Sequence, residues 1–186
     1  MNESRFTRRR LLGAAALLPA LSLPAAAETE ETQVIDLKVS LAFERLKRNV
    51  NGAVELAEQA KGVLIIPGIT KAGFLVGGLY GEGALRVNDA TVGYYSFASA
   101  SFGLQAGVQR FDQALFFMTT QALERFRRSK GWELGAEAEF VTPKNSLAAE
   151  LGTTTSRNPI IAIAFGQEGL MGGVSLGGGK YTRIHD

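Results

Sequence analysis

Seven glycines fall within the 26 residues AKGVLIIPGITKAGFLVGGLYGEGAL, Ala60 to Leu85, a stretch that is otherwise mostly apolar. Three structures tolerate such a density: a loop that cradles phosphate, a membrane span, or strands that pack too closely for side chains. A phosphate loop lies between a strand and a helix N-terminus, because its backbone N–H groups and the helix dipole hold the anion. Gly81-Glu82-Gly83 instead runs into Ala84, Leu85 and Arg86 within an apparent strand, and the G-x-G-x-x-G spacing is never completed. The later GGVSLGGGKYT has the wrong glycine spacing for a Walker loop, and Tyr181 follows Lys180 where Ser or Thr is needed. A membrane span is interrupted by Pro67, Lys71, Glu82 and Arg86. Strands remain, with glycine permitting bulges, bends and close backbone packing.

The rest of the chain fits that reading. Val34 to Val50 sets Leu37, Leu41 and Leu46 among charges and predicts an amphipathic helix. A second helix is expected from an Asn51 cap to a stop at Gly62. From there short β-branched and aromatic runs take over. In TVGYYSFASASFGLQAGVQRF, Ala98, Ala100, Phe102, Leu104, Ala106 and Val108 alternate with small polar residues, which predicts a strand buried on that face. DQALFFMTT reads as a buried strand, and TQALERFRRSKG as a mid-domain helix with Thr120 as cap and Gly131 as stop. WELGAEAEFV, Trp132 to Val141, reads as one strand with Leu134, Ala136, Ala138 and Phe140 inward. TPKNSLAAELGTTTSRNP is a polar connection, and two strands, IIAIAF and GLMGGVSLGGGKYTRI, close the chain around a Gly166–Gly169 turn. The expected architecture is a single α+β domain: a curled, largely antiparallel sheet with two N-terminal helices and one mid-domain helix.

The N-terminus carries a different signal. Arg5, Arg8, Arg9 and Arg10 precede an apolar run, Leu11 to Leu23, and Ala25-Ala26-Ala27 forms an A-x-A site. These are the three parts of a cleaved export signal over residues 1–27. Thr7-Arg8-Arg9-Arg10-Leu11-Leu12 is similar to the twin-arginine motif. Residues 28–33 are then a flexible acidic start and 34–186 the folded domain, placed in the periplasm or outside the cell. Without the segment, 20 Lys+Arg lose four arginines and 18 Asp+Glu lose Glu3, leaving 16 bases against 17 acids. The basic pI near 9.0 therefore belongs to the signal, and nucleic acid is not an expected partner.

Absent residue types exclude whole chemistries. With no cysteine, cysteine nucleophiles are excluded, and with His185, one residue from the C-terminus, as the single histidine, neither a Ser-His-Asp triad nor a histidine-rich metal site is expected. Glu133, Glu137 and Glu139 share one face of the expected strand, yet no aspartate-glycine loop accompanies them to make a calcium site. Neither catalytic residues nor a metal or cofactor is expected. The cationic candidates are Arg125, Arg127, Arg128 and Lys130 at the end of the mid-domain helix, where the helix dipole also favours cations.

Five phrases occur in order: AKGVLIIPGITKAGFLVGGLYGEG, SASFGLQAGVQ, ALFFMT, GWELGAEAEFV and GLMGGVSLGGG. Together they resemble the SYLF domain, a lipid-binding family that includes yeast actin-patch proteins and many exported bacterial proteins. The resemblance covers Val34 to Ile184. It implies a non-enzymatic domain that binds anionic phospholipid or phosphoinositide head groups, with a periplasmic protein partner as the alternative. Actin binding by fungal members does not carry over to an exported chain. Lys61 in AKG and Lys71 in TKAG match positions typical of the family, and with Arg157 they join the candidate lipid-binding set. Lys71 has a competing structural reading as a charge that blunts a strand edge.

Overall fold

The computed structural model describes residues 24–73, 76–102, 109–133, 138–141, 158–168 and 179–185. Two helices open the chain, α1 (Pro24–Asn49) and α2 (Ala53–Gln59). Four long strands follow: β1 (Gly62–Gly73), β2 (Val76–Val87), β3 (Ala90–Phe102) and β4 (Gln109–Phe117). Then come α3 (Thr120–Arg128), β5 (Trp132–Glu133), β6 (Ala138–Val141), β7 (Ile160–Glu168) and β8 (Lys180–His185). The strands form one sheet in the order β5-β8-β3-β2-β1-β4-β7-β6, antiparallel except for the parallel pair of β6 and β7. The α+β class, the three helices among the described residues and the mainly antiparallel sheet agree with the sequence reading.

The sheet is curled, and two side-chain contacts measure by how much. Tyr181 on β8 donates its hydroxyl to Gln113 Oε1 on β4 at 2.9 Å, although β3, β2 and β1 lie between those strands. In a flat sheet four strand spacings of about 4.8 Å would hold them roughly 19 Å apart. Phe126 of α3 fills the hollow between the ends, with ring centroids 4.7 Å from Tyr95 on β3 and 4.9 Å from Phe117 on β4. The concave face encloses Leu64, Ile66, Phe97, Phe111, Leu115 and Tyr181; the convex face packs Val63, Ile65, Ala114, Phe116, Ile161 and Ile163 against α1 and α2. Strands β1, β4 and β7 are therefore buried on both sides, which is why their sequences read as continuous apolar runs.

The opening glycines answer to this geometry. Register shifts between Ile66 and Ile69 against β4, and between Ile65 and Thr70 against β2, bulge β1 around Pro67 and Gly68. A Cβ on Gly83 of β2 would lie 1.8 Å from the Ile65 carbonyl oxygen, so only glycine lets the two backbones come this close.

Several boundaries differ from the sequence reading. Residues 28–33, expected as a flexible lead-in, belong to α1; their three glutamates and one glutamine are good helix formers. Gly52, with φ 86°, precedes α2 in place of the expected Asn51 cap, and the helix ends at Ala60, two residues before Gly62. Thr119, not Thr120, caps α3 by accepting a bond from Ala122 N, and Ser129 ends it. In β3 the inward face is Gly93, Tyr95 and Phe97, while Ala98 and Ala100 are exposed; alanine and serine differ too little in polarity to fix the phase. Leu104, Ala106 and Val108 lie outside the described residues, as do Leu134, Ala136 and most of the polar connection.

The largest departure is WELGAEAEFV. Trp132–Glu133 pairs with β8 and Ala138–Val141 with β7, at opposite edges of the sheet. Five residue steps reach at most about 18 Å, so the two edges of this eight-stranded sheet curl toward each other. The expected turn at Gly166–Gly169 does not begin at Gly166, since β7 continues to Glu168 with Gly166 at φ 61° inside it; Gly169 lies outside the described residues.

Candidate functional site

Helix α1 presents apolar residues on two sides. Ile35, Val39, Ala42, Leu46 and Val50 recur at helical spacing and are buried against the convex face. Val34, Leu37 and Leu41 fall on the opposite side and are 49%, 62% and 53% exposed. Lys38, Arg45 and Arg48 lie on the same outward arc, given 100° per residue. A helix whose only role was to cover the sheet would carry polar residues there.

Polar clamps fix the angle at which that face is displayed. The Asp36 carboxylate accepts from Thr91 Oγ1 at 2.7 Å and from the Tyr94 hydroxyl at 2.8 Å, both on β3. Burial, together with that bond, raises the Tyr94 pKa. Arg86 Nη2 donates to Ser40 Oγ at 2.6 Å. Farther along, Arg45 donates Nη2 and Nε to Asp112 Oδ2 at 2.7 and 3.1 Å. Asp112 is a buried acid on β4, and its Oδ1 accepts the Gly68 N–H at 2.8 Å.

Beside this last clamp lies a cleft of about 560 Å³ lined by Lys38, Leu41, Arg45, Pro67, Gly68, Arg110, Asp112 and Gly166. The β1 bulge forms one wall, and a Cβ on Gly166 would meet Asp112 Oδ2 at 2.8 Å, so glycine is needed for the floor. Three cations surround one carboxylate, which Arg45 already engages. Leu41 belongs both to the cleft and to the exposed apolar strip.

The residues singled out from sequence are scattered by comparison. Lys61 is exposed between α2 and β1, where its N–H donates to the Phe117 carbonyl at 2.7 Å. Lys71 pairs through its backbone with Leu79 and Gln109 in the middle of the sheet, so it does not blunt an edge; its side chain lies outside the described residues. Arg157 also lies outside them. Arg125, Arg127, Arg128 and Lys130 are exposed in and after the last turn of α3, and Arg128 pairs with Glu124 at 3.1 Å. Glu133 and Glu139 stand on different strands at opposite ends of the strand order, so they are not on one face of a single strand, and Glu137 lies outside the described residues. Among the described residues no group of three His, Asp or Glu side chains could hold a metal, and no helix is long and apolar enough to cross a membrane.

Sequence reasoning overlooked Lys38, Arg45, Arg110 and Asp112. One signal was available: Leu46 lies five residues beyond Leu41, about 140° around a helix, so Leu37 and Leu41 cannot share its face. Nothing local marks Asp112, whose role depends on a strand pairing formed across the sheet.

The molecule is thus a curled-sheet domain clad by a clamped helix, with a binding surface as its distinctive chemistry. Residues 98–186 match the family described as Ysc84, Las17-binding protein actin regulator, the same family as the SYLF resemblance read from the sequence. Four of the five phrases that carry the resemblance lie in the matched part; the glycine-rich first phrase precedes it. No curated protein matches the chain.

Proposed function

We propose that this chain is an exported peripheral protein that binds anionic phospholipid or phosphoinositide-like head groups through the outward face of α1, without catalysis. The observation that carries the reading is the exposure of Val34, Leu37 and Leu41 among Lys38, Arg45 and Arg48 on a helix fixed to the sheet. Each cation near an anionic bilayer contributes about 1 kcal/mol, and the aliphatic side chains add interfacial burial that salt does not screen. Near-neutral charge outside the N-terminal segment demands such a local patch. The periplasm, reached by a twin-arginine route, is the compartment that fits residues 1–27.

The second reading is a protein-interaction module, in keeping with the family's description as Las17-binding. The exposed apolar strip also suits a protein groove. Flotation of the purified protein with anionic and zwitterionic vesicles separates the two. The lipid reading expects flotation with anionic vesicles, weakened by high salt; absence of flotation with either vesicle at low salt rejects it in favour of a protein partner.

A further inference from the structure

We infer that the cleft between α1 and the β1 bulge takes a phosphate monoester, the head group of an anionic lipid whose tail lies beside Leu41. The inference rests on the membrane-binding reading and assigns the head-group chemistry of that surface. Asp112 neutralises only Arg45, to which it is bonded at 2.7 Å. Lys38 and Arg110 line the same cleft, and neither has an ion pair or side-chain hydrogen bond among the described residues. The Arg110 stem runs past Gly68, where a Cβ would be 4.0 Å from Arg110 Cδ, and thus past the backbone N–H that anchors Asp112.

The surplus is two positive charges, and a phosphate monoester near neutral pH carries about −1.5 to −2, against −1 for a diester. The cleft volume of about 560 Å³ accommodates such a group together with a polyol or glycerol linkage. A second cleft, near 330 Å³ beside Phe43 and Val54, sets Lys47 and Arg86 against Glu58 and Asp89 and has no surplus, and a third, near 430 Å³ beside Glu30, Gln33, Val34 and Leu37, has no cation in its lining. Since Leu41 lines the charged cleft and also belongs to the exposed strip, a head group held there keeps its acyl chains on the bilayer side of α1.

The test is flotation with vesicles of equal surface charge that contain either a phosphomonoester or a phosphodiester lipid, using wild type, Lys38→Gln and Arg110→Gln. Wild type is expected to prefer the monoester, and each substitution to weaken monoester binding about five-fold, the equivalent of about 1 kcal/mol per cation, while diester binding changes less. Both residues are exposed, so thermal melting should be unchanged and loss of fold is separately detected. Glycerol phosphate supplies the second arm. If it displaces wild type from vesicles, the cleft recognises phosphate from either source; if it fails while the variant effect stands, the cleft recognises phosphate held in a membrane. Equal affinity for the two lipids, or an Arg110→Gln variant that keeps the preference, overturns the inference and leaves the membrane reading intact. No flotation of wild type with any anionic vesicle overturns both.

Discussion

Asp112 shows how much rests on single residues in this fold. It is buried, and its two oxygens join three segments: α1 through Arg45, the β1 bulge through Gly68, and its own strand β4. Replacing it by alanine leaves a partly buried N–H without an acceptor, which costs about 1–3 kcal/mol, with a smaller loss from the half-exposed Arg45 pair. Asp112→Asn retains an acceptor for Gly68. Urea denaturation should therefore place Asp112→Ala clearly below Asp112→Asn, by about 1 kcal/mol or more. Equal stability of the two would mean that the Gly68 bond contributes little. None of this was legible in DQALFFMTT, which reads correctly as a buried strand; what an acid inside it meets is decided by the curl of the sheet and by a helix 67 positions away.

At the scale of the element, α1 separates packing from display. Leu46 is fully buried, and Leu46→Ala should destabilise the domain by about 2–5 kcal/mol. Leu37→Ser and Leu41→Ser, on the outward side, should change stability by less than about 0.5 kcal/mol and yet abolish flotation with anionic vesicles. Melting and flotation of the same three variants check both halves of the statement. If Leu37→Ser unfolded the protein, the outward face would be part of the core. The helix itself was legible from the density of apolar and charged residues over Val34–Val50. Its functional face was not, because three leucines taken as one stripe in fact divide between two.

For the whole molecule, the glycine-rich strands gave the fold class and most elements before any contact was known. They could not give the parallel pairing of β6, or the separation of Trp132 from Ala138 to opposite edges, because both depend on how far the sheet curls. The basic cluster of α3 was conspicuous in sequence for the same reason that it is a weaker site candidate. Its charges fall within six residues, placed where a helix C-terminus favours them, and Arg128 is paired with Glu124. In the cleft, by contrast, Lys38 and Arg45, two turns apart on α1, are joined by Arg110 of β4 only in the fold.

The absence of cysteine from the chain makes the central claim directly measurable. A single environment-sensitive fluorophore can be attached at Leu37→Cys on α1, and in a separate protein at Gln121→Cys on the exposed side of α3. With anionic vesicles, the account predicts a blue-shifted, brighter emission from the α1 label and an unchanged spectrum from the α3 label. A shift at α3 with none at α1 would contradict it, and would return the membrane contact to the arginines that the sequence first brought forward.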